Sequence, residues 1–260
     1  MTNVDSSIPT RGPGIWPGSL LRRVPWWLLI ILAAGFMVLY SMVQEEKYVN
    51  TLSYLLRGVG TTIVITLAAY SIALVLGLLA GLGRISQNAV IYTIATLYVE
   101  VMRGLPMLII IIYMQFIVAP ALGTQRNAVL SAIMGLAAGY GAYIAEVFRG
   151  AIESLDRGQG EAARSLGMSH FQAMRHIILP QAFRRALPAL GNDFVAMLKD
   201  SSLASAIAVQ ELTKLMQIEG SRTFDNFRAF NAAAFLYLAM TLLLSLVVRW
   251  MEGRINRDRR

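Results

Sequence analysis

The chain contains no cysteine. Disulfides, thiol nucleophiles and cysteine metal sites are therefore excluded. Histidine is nearly absent: His170 and His176 are the only two, six positions apart in a polar stretch, where they read as solvated surface residues and not as ligands. Lysine occurs three times, as Lys47, Lys199 and Lys214, and none follows glycine. No GxxxxGK[ST] phosphate loop is present, so this chain has no such cradle for nucleotide phosphates. HExxH and GxSxG motifs are also missing, and no paired carboxylates in an obvious cleft suggest catalysis. Charged residues make up 15% of the chain, low for a soluble domain, whereas 56% is apolar.

What is present is a set of long apolar runs. A helix crossing the hydrocarbon core needs ~20 apolar residues. Six candidates occur, at 26–43, 61–83, 91–119, 129–148, 187–209 and 230–248. Trp26 and Trp27 open the first as an interfacial anchor. The third is too long for one upright span and contains Arg103-Gly104-Leu105-Pro106. It reads as an interfacial lead-in at 91–102 and a deep span at 105–119, broken at Pro106. Pro188 suits the first turn of the fifth. No signal-peptide exit site of the Ala-x-Ala type follows the first run, which reads as an anchor. Residues 1–25 hold four of the eight prolines and read as a loose basic tail, with a second tail at 251–260.

A net charge of +8 raises the question of nucleic acid, but the arginines sit between apolar runs, as membrane flanks do. With the N-terminus inside, sixteen of the 23 Lys and Arg residues fall in inner segments, six in outer segments, and Lys199 within a span. Both termini and a loop at 149–186 are thus expected to be cytoplasmic, with no nucleic-acid partner. Gly77/Gly81 and Gly135/Gly139 form GxxxG patterns that permit close helix approach. They read as packing within the bundle.

The longest polar stretch is EAARSLGMSHFQAMRHIILP, residues 161–180. Glu161 suits the first turn of a short helix. Gly167 supplies a left-handed break. Ser169 and Gln172 can form a capping box for a second helix, and Pro180 is expected to end it. Glu161-Ala162-Ala163, Gly167, and then Leu179-Pro180 at this spacing resemble the EAA loop of bacterial ABC importer permeases. Arg103-Gly104-Leu105-Pro106, the stretch from Ala142 through Glu146 and Arg149 to Gly150, Gly158-Gln159 before the loop, and Leu198 to Leu203 followed by Gln210-Glu211-Leu212 resemble more narrowly the permeases for polar amino acids. The likeness covers roughly residues 50–255.

The resemblance implies an all-α membrane protein with the type I importer permease fold: a five-helix core, here at 58–250, plus one extra N-terminal transmembrane helix at 26–43. It implies an inner-membrane, multi-pass subunit of an ATP-driven, binding-protein-dependent amino-acid importer. The implied partners are two ABC ATPase subunits, which would hold the ATP and Mg, a second permease chain (a homodimer or a paralogue), and an extracytoplasmic amino-acid-binding protein, all in a lipid bilayer. Glu161, Ala162, Ala163, Gly167, Leu179 and Pro180 would be the ATPase-coupling residues, the Ala-Ala pair giving a small surface that sits deep in a partner's cleft. The rival reading is a secondary transporter or channel for a small polar solute, which internal inverted repeats would favour and which show no trace here.

Polar residues inside spans are costly and point to function. Glu146 and Arg149, three apart on one helix face, can pair as a staple above the coupling loop. In the fifth span, seven residues is almost two helical turns. Asn192 and Lys199 therefore share one face, Asp193 and Asp200 the next, and Ser202 extends the stripe. Such a stripe should border the solute path, or else pair between helices in the bundle core.

Overall fold

The computed structural model describes residues 26–124 and 127–257. It is helical, with no strand among the described residues. The chain divides into two units after Glu46. The first carries α1, Trp26–Val43, with the bounds expected from the sequence. The tail expected at 1–25 and the side chains of Trp26 and Trp27 lie outside the described residues.

The second unit is built on α2, Glu46–Gly83, whose 38 residues begin well before the expected span at 61–83. At 1.5 Å per residue it is about 57 Å long, roughly twice the hydrocarbon thickness. Its first half is helical because it has partners: Leu55 packs with Leu212, Leu215, Ala232 and Ala233. The helix α3, Ala89–Gly104, starts at Asn88, whose side chain accepts from the N–H groups of Val90 and Ile91. Leu105 is extended (φ −101°, ψ 139°), as a residue before proline prefers. α4, Met107–Tyr113, restarts beyond Pro106 at 108° to α3. The break expected at Pro106 is therefore present.

α5, Ala128–Glu153, is capped by Asn127 and forms the centre of the bundle. Ile65, Ala69 and Ala73 of α2 and Ile111 of α4 pack around its Leu136, Tyr140, Ile144 and Phe148. α6 is Arg157–Ser165 and α7 is His170–Ala173. α8, Leu179–Asp200, follows and leads into a 3-10 segment, Ser201–Ile207. α9 is Leu212–Thr223 and α10 is Asn226–Arg257. Among the described residues, α2, α5 and α10 are long and apolar enough to cross a membrane, and the bent α3/α4 pair makes a fourth if it counts as one span. The fifth expected span, 187–209, is not a single helix: it is the end of α8 plus the 3-10 segment.

Two proline expectations are corrected. Pro180 does not end a helix, and Pro188 does not open one. Helical structure is continuous from α7 through a π turn, Met174–Ile178, into α8, which holds Pro180 in its first turn and Pro188 in its interior. The π turn explains the tolerance of Pro180. Leu179 donates its N–H to Met174 O, five residues back. Proline lacks an N–H, and its ring presses on the carbonyl four residues earlier. An extra residue in the turn moves that carbonyl aside. The same device recurs at Pro120: the π turn Met114–Val118 closes with Ala119 N–H on Met114 O, directly before the proline.

Both GxxxG pairs pack within the chain. A Cβ on Gly77 would lie 2.4 Å from Ile144 Cγ2, and one on Gly81 2.8 Å from Ala145 O, so α2 and α5 approach backbone to backbone there. Gly135 and Gly139 meet Ile111 and Met107 of the α4 segment.

Candidate functional site

The loop between α5 and α8 is a compact helical pair. Asp156, not Glu161, starts α6: its Oδ1 accepts the Gly158 N–H at 2.8 Å. Glu161 is exposed in the second turn, away from the orphan N–H groups, which corrects the first-turn expectation. The α6 end closes as a Schellman motif, with Gly167 N–H on Arg164 O (2.9 Å) and Met168 N–H on Ala163 O (3.1 Å). Gly167 has φ +80°, the left-handed turn expected of it. The expected capping box is also present: Ser169 Oγ accepts from Gln172 N–H at 3.2 Å, and Ser169 N–H donates to Gln172 Oε1 at 2.8 Å.

The two alanines differ in exposure. Ala162 is exposed, but Ala163 is only 4% exposed, so it packs inside the loop and is not available as outer surface. Leu166 (81% exposed) and Phe171 (70%) instead present large apolar side chains on either side of the Gly167 turn. Leu179 is half-buried and Pro180 exposed. His170 and His176 are both exposed, as read from the sequence. The loop's two ends are pinned. Arg185 of α8 donates to Ser154 O and, at 3.0 Å, to Ser154 Oγ, while Phe148 and Phe183 stack with centroids 6.1 Å apart.

Glu146 and Arg149 do pair, at 2.8 Å, but within a larger cluster. Arg84 at the end of α2 binds Glu146 and also Glu100 of α3, the latter at 3.3 Å. Arg103 lies 4.0 Å from Glu146 and stacks over Tyr143 at 5.8 Å. Arg149 holds Glu153 at 2.6 Å. The staple thus clasps α2, α3 and α5.

On α8, the stripe separates as its seven-residue spacing implies. Asn192 and Lys199 are exposed and line a cavity of about 400 Å³ between α8 and α10, with Ser245, Arg249 and Glu252 opposite. Asp193 and Asp200 are half-buried on the adjoining face. Asp200 Oδ2 accepts from Tyr140 Oη of α5 at 2.8 Å. Asp193 Oδ2 is buried with no hydrogen-bond partner among the described residues. Ser202 is half-buried in the 3-10 segment, so it leaves the α-helical register of the stripe. Among the described residues no cluster of three or more His, Cys, Asp or Glu side chains could hold a metal ion.

This architecture has relatives. The family model described as "Binding-protein-dependent transport system inner membrane component" matches residues 73–260. The chain belongs to that family. As a permease it is 38% identical over 222 residues to the probable amino-acid ABC transporter permease protein YckA of Bacillus subtilis, covering 82% of this chain and 97% of that one. It is 36% identical to the glutamine transport system permease protein GlnP of Escherichia coli K12, over 78% and 93% of the two chains. Among solved structures, an amino acid ABC transporter crystallised with histidines matches with TM-score 0.73 and 36% identity, over 80% of this chain and 97% of that one. The MetNI methionine transporter, at 23% identity and TM-score 0.67, shares the fold. Membership decides between the importer and the secondary transporter or channel in favour of the importer.

Several residues that build the permease's polar sites had no local signal in the sequence. Arg84, Glu100 and Tyr140 find their partners across helices, 62 positions apart for Arg84 and Glu146 and 60 for Tyr140 and Asp200. Leu166 and Phe171 could have been found, as large apolar residues beside the glycine turn of a polar loop.

Proposed function

We propose that this chain is the permease subunit of an ATP-driven amino-acid importer, with ATP and Mg held by two partner ATPase subunits and solute delivered by an extracytoplasmic binding protein. The observation that carries the coupling part is the closed helical pair α6–α7, which presents Glu161, Ala162, Leu166 and Phe171 outward around a fixed left-handed Gly167. Such a rigid knob suits a groove on a partner, and its pinned base passes displacement to α5 and α8. Both termini and the loop face the cytoplasm, supported by the Lys and Arg distribution. The likeness to YckA and GlnP supports an amino acid as the solute.

In this reading two permease chains frame the path, with the α8 stripe of Asn192, Asp193, Lys199 and Asp200 bordering it. ATP drives transport by favouring one access state over the other. Glu146 and Arg149 act structurally, holding the helix that leads into the loop. The experiment is reconstitution of this chain with its ATPase and binding protein in proteoliposomes, assayed with a labelled amino-acid panel. ATP-dependent uptake of one or a few amino acids is the expected result. Uptake driven by an ion gradient without ATP would refute the proposal.

A further inference from the structure

The apolar interior is not one body. One cluster holds α5, α8 and the middle of α2, and ends in the chain at Ile207 and Val209. A second joins the first half of α2, α9 and the start of α10 through Leu55, Leu212, Leu215, Ala232 and Ala233. The chain passes from one cluster to the other within Val209 to Leu212. That crossing carries two unusual features. The 3-10 segment before it is seven residues long, where runs beyond three or four are uncommon. It closes on Ala208 with φ +61°, a left-handed geometry that an alanine adopts at a cost.

Glu211 sits at the crossing with no exposed surface. Its carboxylate caps α9, accepting from Thr213 N–H and Lys214 N–H, each at 2.8 Å. It also accepts from Tyr237 Oη of α10 at 2.9 Å. Next to it, Leu212 N–H donates to Thr62 Oγ1 of α2 at 3.2 Å. One buried carboxylate thus fastens α9 to α10 beside a contact with α2.

At its far end α10 packs on α8. Gly191 of α8 receives Val248 of α10 so closely that a Cβ there would be 2.3 Å from Val248 Cγ1. Open cavities flank this crossing, about 400 Å³ on the Asn192/Lys199 side and about 250 Å³ on the side of Tyr70, Leu187 and Phe194. A helix fastened at one end that crosses α8 between two open cavities at the other has room to rock.

We propose that α9, α10 and the first half of α2 form a movable arm against the α5/α8 core, and that Glu211 is the positioning residue that sets the arm's angle through Tyr237. This goes beyond the importer reading and rests on it only for the arm's use in switching access. The test uses the full chain in lipid nanodiscs. Asn192→Cys with Ser245→Cys places a spin-label pair across the larger cavity, and Gly150→Cys with Arg184→Cys places a control pair between α5 and α8. Tyr237→Phe should broaden or shift the distance distribution of the first pair and leave the control unchanged, and Glu211→Gln should do so more strongly. Should Glu211→Gln fail to accumulate, Tyr237→Phe decides, since it removes a single hydroxyl. An unchanged first pair, or equal change in both pairs, overturns the proposal. Because no ATPase or solute is present, failure of the importer reading would leave this readout intact.

Discussion

Tyr140 Oη donates to Asp200 Oδ2 at 2.8 Å, tying the centre of α5 to the end of α8. The bond lies where the loop-bearing helix meets the polar stripe of α8.

Replacing Tyr140 by Phe deletes this donor and leaves a half-buried carboxylate short of one bond. Hydrogen bonds to charged groups are worth ~1.5–3 kcal/mol. The melting temperature of the purified chain in detergent should fall by several degrees. Asp200→Asn keeps an acceptor for the hydroxyl and removes the charge, so it should cost less stability while still lowering uptake. Equal destabilisation by the two would place the importance of the pair in packing and not in the bond.

The loop proposed to couple to the ATPase predicts a different pattern. A Cβ on Gly167 would meet nothing within 4 Å, so its substitution is penalised only by φ +80°. Gly167→Val should cost ~1–3 kcal/mol locally. Glu161→Lys, on an exposed second turn, should leave folding unchanged, as should Leu166→Asp and Phe171→Asp. All four variants should reach the membrane at normal levels while uptake falls, with purified assemblies losing ATPase stimulation by the loaded binding protein. Full uptake by Leu166→Asp and Phe171→Asp together would remove this surface from coupling.

Local chemistry was legible in the sequence wherever one residue dictates a backbone state. Pro106 forces an extended residue before it, Gly167 accepts a left-handed turn, and Ser169 with Gln172 closes a capping box, and each stands where expected. The seven-residue spacing also sorted Asn192/Lys199 from Asp193/Asp200. What was hidden depends on tertiary partners. The first half of α2 looks too polar for a span, and it is helical because α9 and α10 cover Leu55. Pro180 looks like a stop only if every turn has i→i−4 bonds, and the π turn before it breaks that assumption. Ala163 looked like outer surface until the fold of the loop buried it.

The α2/α5 seam gives a prediction about packing. Gly77→Val would drive side-chain atoms into Ile144 and the Gly141 carbonyl, the latter 3.0 Å from even a bare Cβ. Overpacking of this kind costs ~1–3 kcal/mol or more. Gly150, on α5 with nothing within 4 Å of its missing Cβ, is the contrast. Gly150→Ala should be neutral or stabilise by ~0.5–1 kcal/mol, because alanine loses less backbone entropy in a helix. Thermal unfolding of both in one detergent checks the pair. Matching shifts would mean that the seam is not tight.

The last prediction concerns the stripe. Charge in a membrane segment is costly, up to ~2.5–3.5 kcal/mol for an Asp or Lys at a span's centre on insertion scales, so Asp193, Lys199 and Asp200 should meet water or partners. No oppositely charged residue lies four positions from Lys199 or Asp200, where Val195, Ala196, Leu203 and Ala204 stand. Asp200 has Tyr140, whereas Asn192 and Lys199 look into the cavity shared with α10. A cysteine-free chain allows each position to be read singly. Asn192→Cys, Ala196→Cys and Lys199→Cys should react quickly with a membrane-impermeant thiol reagent. Ser202→Cys, half-buried and off the helical register, should react slowly. If the cavity belongs to the solute path, the three fast rates should change when ATP or loaded binding protein is added to the assembled transporter, and Ser202→Cys should change least. Fast rates indifferent to every addition would make the cavity a static surface pocket. Protection at all four positions would put the stripe against a partner helix, where its charges would tolerate replacement only together with their partners.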